Sequence, residues 1–204
     1  MRLFDPDAAE LGSSPSRAVA RAQVGSARTV DDAVQHQRDV LAAVDADPRI
    51  LHRSARPGHM TASGLVVDAT GERFILVHHR KLRIWVQPGG HADGEACLAR
   101  VALHECTEET GIDGLSVAGP AIDVDIHRVA PPREDAHLHY DVRFLVVAPP
   151  GAELAINHES IEGRWVGWDE TDVVPIDSGT RRLVAAGRRA VRELYETEDG
   201  KGAP

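Results

Sequence analysis

Three carboxylates are the first chemistry legible in this chain. Glu105, Glu108 and Glu109 stand at i, i+3 and i+4, a spacing that puts them on one face of a helix. Leu98, Val101 and Ala102 fall on nearly the same face one or two turns earlier. Such a helix packs by its start and presents acid at its end. Like charges this close repel, and no Lys or Arg follows within the next turn. A divalent cation would relieve the repulsion. Oxygen-rich clusters suit Mg²⁺ or Mn²⁺, and those ions in turn bind phosphates. The competing interpretation is a solvated acidic helix end, which spacing alone favours.

A second polar set recurs with a period of two. Over 137–144, His137, His139, Asp141 and Arg143 alternate with Leu138, Tyr140, Val142 and Phe144; over 121–128, Asp123, Asp125 and His127 alternate with Ile122, Val124 and Ile126. Each stretch reads as a strand with one apolar side. If 129–136 joins them as an antiparallel hairpin, the apolar faces must coincide, and so must the polar ones. Asp123, Asp125, His127, His137, His139 and Asp141 then form one patch. A solvent-facing side of a sheet is the plain alternative, and periodicity alone favours it. Exposed strand positions more often carry Thr, Lys or Glu. Repeated His and Asp therefore points to a substrate pocket, and both residue types also suit a transition metal.

Smaller candidates lie nearby. Arg80, Lys81 and Arg83 form a compact basic run, either a polar turn or a contact for substrate phosphates. Trp85 is either a pocket wall or plain core. His78, His79 and His91 are candidates by proximity in sequence, against the ordinary structural role of lone histidines.

The stretch GGHADGEACLARVALHECTEETGI, from Gly89 to Ile112, resembles the Nudix box, G-x5-E-x7-R-E-U-x-E-E-x-G-U with U aliphatic. Aligned from Gly90, Glu105, Glu108, Glu109, Gly111 and Ile112 fall into place, and the preceding Pro88-Gly89-Gly90 is also typical. The pieces GHMTASGLVVD, HHRKLRIWVQPGGH, HLHYDVRF and ESIEGRWVGWDE are similar to a bacterial Nudix subgroup, and together they cover about 58–170. A motif of this length is far more specific than a lone glycine pattern. The resemblance implies an α/β fold, a Nudix-type α/β/α sandwich with a mixed sheet. It implies a hydrolase that splits a diphosphate linkage in a nucleoside diphosphate derivative or related small molecule, with Mg²⁺ or Mn²⁺ as cofactor. Glu105 and Glu109 are then metal ligands, Glu108 a third or water-mediated one, and the Gly89 carbonyl completes the site. The bound metal would polarise the diphosphate and activate a water. The base varies within the family: Glu105 itself or a loop Glu serves. Glu159 and Glu162 are the loop candidates, the alternative being ordinary loop acids. Arg80, Trp85, His91, His137, His139 and Asp141 are the candidate substrate contacts. Homodimers are common among proteins with this resemblance.

Two positions depart from the box. The early Glu is Ala96, and the Arg before the first core Glu is His104. In the family these two residues look like braces for the catalytic glutamates. Glu95, one position early, is a candidate substitute, and His104 can still hydrogen-bond a neighbouring carboxylate. Restoring both, Ala96→Glu with His104→Arg, should return the braced geometry. The departures keep open a Nudix-fold ligand-binding or sensor protein without turnover, against which stand the three retained glutamates. Isomerase chemistry on the same fold uses a Cys outside the helix, whereas Cys97 and Cys106 fall within it.

Elements must hold these residues in place. Residues 1–14 read as a flexible N-terminus and 15–57 as a helical extension, with Val30, Val34, Leu41 and Val44 at helical spacing behind Thr29. The Nudix domain is expected over 58–196 and a disordered tail over 197–204. Strands are expected at 61–68, 74–78, 84–87, 121–128, 137–147 and 164–168. Helices are expected at 93–110, closed by Gly111, and at 181–196, with Leu183, Val184, Val191 and Leu194 as apolar stripe.

The whole composition narrows the class of partner. A chain of 204 residues, 42% hydrophobic and 27% charged, suits one domain with extensions. A formal net charge of -9 argues against a nucleic-acid partner and leaves a small diphosphate as the expected one. The first ten residues are acidic without an apolar run, unlike a signal peptide, and no apolar stretch reaches membrane-span length. Two cysteines in one helix are expected to stay reduced, which points to the cytoplasm.

Overall fold

The computed structural model describes residues 1–80, 83–130, 135–157, 160–171 and 174–199. The chain opens with strand β1 (Arg2–Phe4) and helices α1 (Arg17–Gly25) and α2 (Asp32–Ala46). Strands β2 (Gly58–Val67), β3 (Arg73–His79), β4 (Trp85–Val86) and β5 (Gly89–His91) lead to helix α3 (Leu98–Thr110). Strands β6 (Ser116–Val129), β7 (His137–Val147) and β8 (Ser160–Gly167) follow, and helix α4 (Ser178–Asp199) ends the described chain. One sheet holds all the strands in the order β1-β6-β7-β2-β3-β4, with β5 on β2 and β8 on β3. β2 and β7 run parallel, and the other pairings are antiparallel.

β2 shows why the sheet is covered on both faces. It is buried along its whole length, as a near-continuous apolar run demands. Alternation sends Met60, Ala62 and Val66 into the core under α1, α2 and α3, and Leu65 and Val67 into the core under α4. The result is the α/β/α sandwich with a mixed sheet. Gly64 lets α3 come close: a Cβ there would lie 2.5 Å from Cys106 Sγ. On the other face, Leu183, Val184, Val191 and Leu194 form the stripe of α4. Among the described residues no helix is long and apolar enough to cross a membrane.

The structure corrects the two ends. Residues 1–14 are not a loose lead: Arg2, Leu3 and Phe4 pair with Gly119, Ala118 and Val117 of β6, and a 3-10 turn follows at Ala9–Leu11. Backbone pairing with the edge of β6 fixes a segment whose side chains give little sign of it. At the other end α4 runs on to Asp199, past the expected start of the tail, and 200–204 lie outside the described residues. The expected 93–110 helix begins only at Leu98, because Asp93 and Gly94 both take positive φ. The hairpin inferred for β6 and β7 forms with its polar faces coincident as expected, Asp125 standing opposite Asp141 and His127 opposite His139.

Candidate active site and an adjoining histidine cluster

Helix α3 is held at both ends. At its start Glu95 accepts hydrogen bonds from the N–H groups of Ser14 (2.9 Å) and Cys97 (2.8 Å), and Gln23 of α1 accepts one from Ala99 N–H (3.2 Å). Burial alone would raise the Glu95 carboxyl, but hydrogen bonds from Ser13, Cys97, Ser14 and Ala96 outweigh it and hold it below the usual range. Glu95 therefore caps α3 and pins the N-terminal segment. It is not the stand-in brace that its place in the box suggested. At the helix end Gly111 takes φ 66 and returns its N–H to Thr107, closing the last turn.

The glutamates meet the backbone of β5. Glu109 is only 8% exposed and accepts the Gly89 N–H at 3.2 Å. A Cβ on Gly90 would stand 2.4 Å from the Glu105 carboxylate, so only glycine lets strand and carboxylate approach this closely. Glu108 is exposed and lies 3.6 Å from Nδ1 of His104 on the same helix face. Donor atoms of His104, Glu105 and Glu108 lie within 4.8 Å of one another.

The polar face of β6 and β7 divides into two parts. Toward α4 it is an ion network sealed inside the protein. Arg143 donates from Nε to Asp141 (2.8 Å), from Nη1 to Asp123 (3.2 Å) and from Nη2 to Asp125 (2.9 Å). Arg182 of α4 joins Asp123 (3.1 Å) and Asp125 (2.6 Å). Thr61 and Ser63 of β2 donate their hydroxyls to Asp141. Burial would raise these carboxyls, yet the charges and hydrogen bonds win. His127, Arg143 and Arg182 hold Asp125 well below the usual carboxylate range, and Arg143 chiefly holds Asp141 down. Burial likewise disfavours the charge on Arg143, and the three aspartates outweigh it and raise its pKa.

Beyond the network lie imidazoles. The His59 ring centroid is 5.1 Å from that of His91, 4.9 Å from His137 and 5.0 Å from His139, and His127 approaches His139 at 5.3 Å. Burial pushes His59 down to about 4 and His139 down to about 3, and neighbouring imidazoles push the same way.

The NUDIX domain profile matches residues 58–186, more than half of the sequence. The chain belongs to the Nudix family. A Mycobacterium tuberculosis relative named "Putative 8-oxo-dGTP diphosphatase 3" is 31% identical over 134 residues, or 60% of this chain and 58% of the relative. The chain thus spans less than two thirds of that relative's length. Among solved structures, a C. elegans Ap4A hydrolase in a binary complex aligns with TM-score 0.52 at 15% identity, over 67% of this chain and 98% of that one. A NUDIX-family hydrolase from Clostridium perfringens aligns with TM-score 0.50 at 17% identity, over 67% of this chain and 97% of that one. At these identities the likeness is one of fold.

Set in the Nudix frame, the candidate residues separate. Glu105 and Glu108 lie together beside His104, and Glu105 and Glu109 each meet the Gly89–Gly90 backbone. The divalent ion that Nudix hydrolases generally use suits donors of this kind, because they are hard oxygens, and glycine at position 90 lets the Glu105 carboxylate stand against the β5 backbone. His91, His137 and His139 also come together, joined by His59, which the sequence reasoning passed over. The alternation of His59, Thr61 and Ser63 with Met60 and Ala62 is the pattern that would have found it. Asp141 is buried with its oxygens engaged, so it belongs to the ion network and not to an open pocket wall. Trp85 is buried, stacked on His78 and covered by the Arg164 guanidinium at 5.1 Å, so it is packed as core on the α4 side. Arg80 donates to the Ser160 carbonyl at 3.0 Å, at the β3–β8 edge. Glu162 pairs with Arg164. Glu159 and Lys81 lie outside the described residues.

Proposed function

We propose that this Nudix hydrolase cleaves a diphosphate linkage in a nucleoside diphosphate derivative or related small molecule, with Mg²⁺ or Mn²⁺. The observation that carries the reading is the packing of the α3 carboxylates against the Gly89–Gly90 backbone. Glu105, Glu108, Glu109 and the Gly89 carbonyl would hold the ion. Bound there, it supplies Lewis-acid polarisation of a phosphoryl oxygen and a lower pKa for the attacking water. Glu109 is oriented by the Gly89 N–H, Glu105 is held in place by the Gly90 backbone, and His104 steadies Glu108. Glu105 is the base favoured here, since Glu162 is engaged by Arg164. The histidines His91, His137 and His139 and the cation Arg80 are the groups proposed to meet the substrate. The name of the Mycobacterium tuberculosis relative supports a nucleotide as the substrate class. Two buried free cysteines agree with a reducing compartment such as the cytoplasm.

The test is a screen of nucleoside diphosphate derivatives with Mg²⁺ and with Mn²⁺, reading phosphate released after a coupled phosphatase. Turnover of at least one derivative, lost on chelation, is expected. Tight binding without turnover under either ion would replace the reading with a sensor. A melting midpoint unmoved by millimolar Mn²⁺ would remove the acidic site itself, because an ion bound only by the native state raises stability by about 2.7 kcal/mol at a hundredfold excess over Kd.

A further inference from the structure

The imidazoles on the α4 side of the sheet are built as ligands. His59 comes from β2, His91 from β5 and His139 from β7, and the pairing of β2 with both neighbours brings them side by side. One ring nitrogen from each lies within 4.8 Å of the others. Around a single ion at about 2.0–2.1 Å, three such nitrogens stand roughly 3.3 Å apart, a distance that small side-chain rotations reach.

The hydrogen bonds of the cluster mark His137 and His127 as supports and leave nitrogens of His59 and His139 unpartnered. A neutral imidazole carries one donor and one acceptor. His137 directs Nδ1 at the Asp135 carbonyl (2.8 Å), and His127 directs Nδ1 at Asp125 (3.0 Å). His59 is 1% exposed, and neither of its ring nitrogens has a hydrogen-bond partner; Nε2 of His139 is also buried without one. The Ala55 carbonyl pulls weakly toward the charged form of His59 without a well-formed hydrogen bond to either nitrogen. Buried polar atoms in native proteins are nearly always satisfied, and an unsatisfied one calls for a bound water or ion.

We propose that His59, His91 and His139 bind a first-row transition-metal ion of the zinc class, at a site distinct from the glutamates of α3. Three imidazoles suit Zn²⁺, Co²⁺ or Ni²⁺ over Mg²⁺. The surroundings favour a cation: in the adjoining network three carboxylates stand against two guanidinium groups. His127, oriented by Asp125, is placed as an outer partner of the kind that supports metal sites. Because Gly90 touches Glu105 on one side of β5 and His91 faces the cluster on the other, the two sites share one short strand.

The experiment is a Co²⁺ titration of chelator-stripped protein with millimolar Mg²⁺ present, followed by visible absorption and calorimetry. One equivalent should bind with the intense visible bands of a four- or five-coordinate ion, and Zn²⁺ should displace it. His91→Gln and His139→Gln, at partly exposed positions, should each weaken binding by at least about tenfold, with melting of the metal-free variants reporting that the fold is kept. Should either variant fail to fold, nuclear magnetic resonance of the wild-type imidazoles under Zn²⁺ gives the answer, and only His59, His91 and His139 should shift to the bound position. Glu105→Gln with Glu109→Gln should leave Co²⁺ binding intact. Absence of Co²⁺ binding, binding indifferent to the histidines, or binding lost with the glutamates would overturn the proposal.

Discussion

Gly90 is one of two glycines in the candidate active site, and it is the one against which Glu105 packs. Its missing side chain is the space in which the Glu105 carboxylate sits. Gly90→Ala should push that flexible carboxylate aside with little loss of stability. A fall in kcat/KM of roughly tenfold to hundredfold is expected from a displacement near 1 Å, with the melting midpoint almost unchanged; wild-type kinetics would show that Glu105 tolerates the shift. Glu109→Gln keeps the shape and the Gly89 contact but removes a charge. It should cost about 2.7 kcal/mol in transition-state stabilisation, a hundredfold in rate, measured on the best substrate with circular dichroism to verify the fold. The third substitution at this scale concerns the box. Ala96 is completely buried and its N–H bonds to the Ser14 carbonyl at 2.6 Å, whereas the His104 side chain is 68% exposed and turned to Glu108. The sequence suggested that Ala96→Glu and His104→Arg together would restore a brace. The structure argues otherwise: Ala96→Glu forces a carboxylate into packed apolar surroundings and should destabilise by about 2 kcal/mol or more. His104→Arg should not rescue it, and a four-protein cycle of urea midpoints should be additive within about 0.5 kcal/mol.

At the level of elements, the junction of β6, β7 and α4 stakes stability on buried charge. Removing one partner of a buried ion pair strands the others, at a cost of about 3–5 kcal/mol. Arg143→Leu, which takes the guanidinium from Asp141 and leaves Asp123 and Asp125 to Arg182, should show that loss as a lowered urea midpoint, and a change within error would mean that the network is solvated in the working protein. Asp125 supplies the pH test. Its folded pKa lies below its ordinary value of 3.8, so its contribution is present above that value and falls away as pH drops through it toward the folded pKa. The stability gap between wild type and Asp125→Asn should therefore stay constant from about pH 5 to 8 and narrow below about pH 4. A gap that widened in acid would contradict the assignment. The period-two alternation of 121–128 and 137–144 was enough to give the hairpin and its shared polar face, because pleat geometry sets the side that each residue takes. It could not divide that face into a sealed ionic part and a histidine part. That division depends on Arg182, which comes from α4 some 57 residues beyond Asp125, and on His59, whose partners lie on other strands. The i, i+3, i+4 spacing likewise gave the carboxylate cluster, since both needs and partners are local to one helix. The role of Glu95 was hidden because its partner, Ser14, is 81 residues away.

Across the whole molecule, the segment before the matched domain is structural. Ala20, Val24, Val40 and Val44 of α1 and α2 are buried in the same core as Leu98, Val101 and Ala102 of α3, and Gln23 caps α3. A chain beginning at residue 58 should lose native melting behaviour and divalent-ion binding together; retention of both would reduce the extension to an accessory. The central pairing has a further consequence, for the order in which the chain can assemble. Every residue of β2 finds its β7 neighbour 80 positions later, from Gly58 with Leu138 to Val67 with Val147. Contacts so distant in sequence form slowly. During synthesis β2, β3, β5 and α3 all emerge before β7, and the β2 edge that includes Leu65–Val66–Val67 stays unpaired until β7 arrives. The period of greatest exposure to aggregation thus falls between synthesis of β2 and synthesis of β7, and the imidazoles and ion network become organised only when it closes.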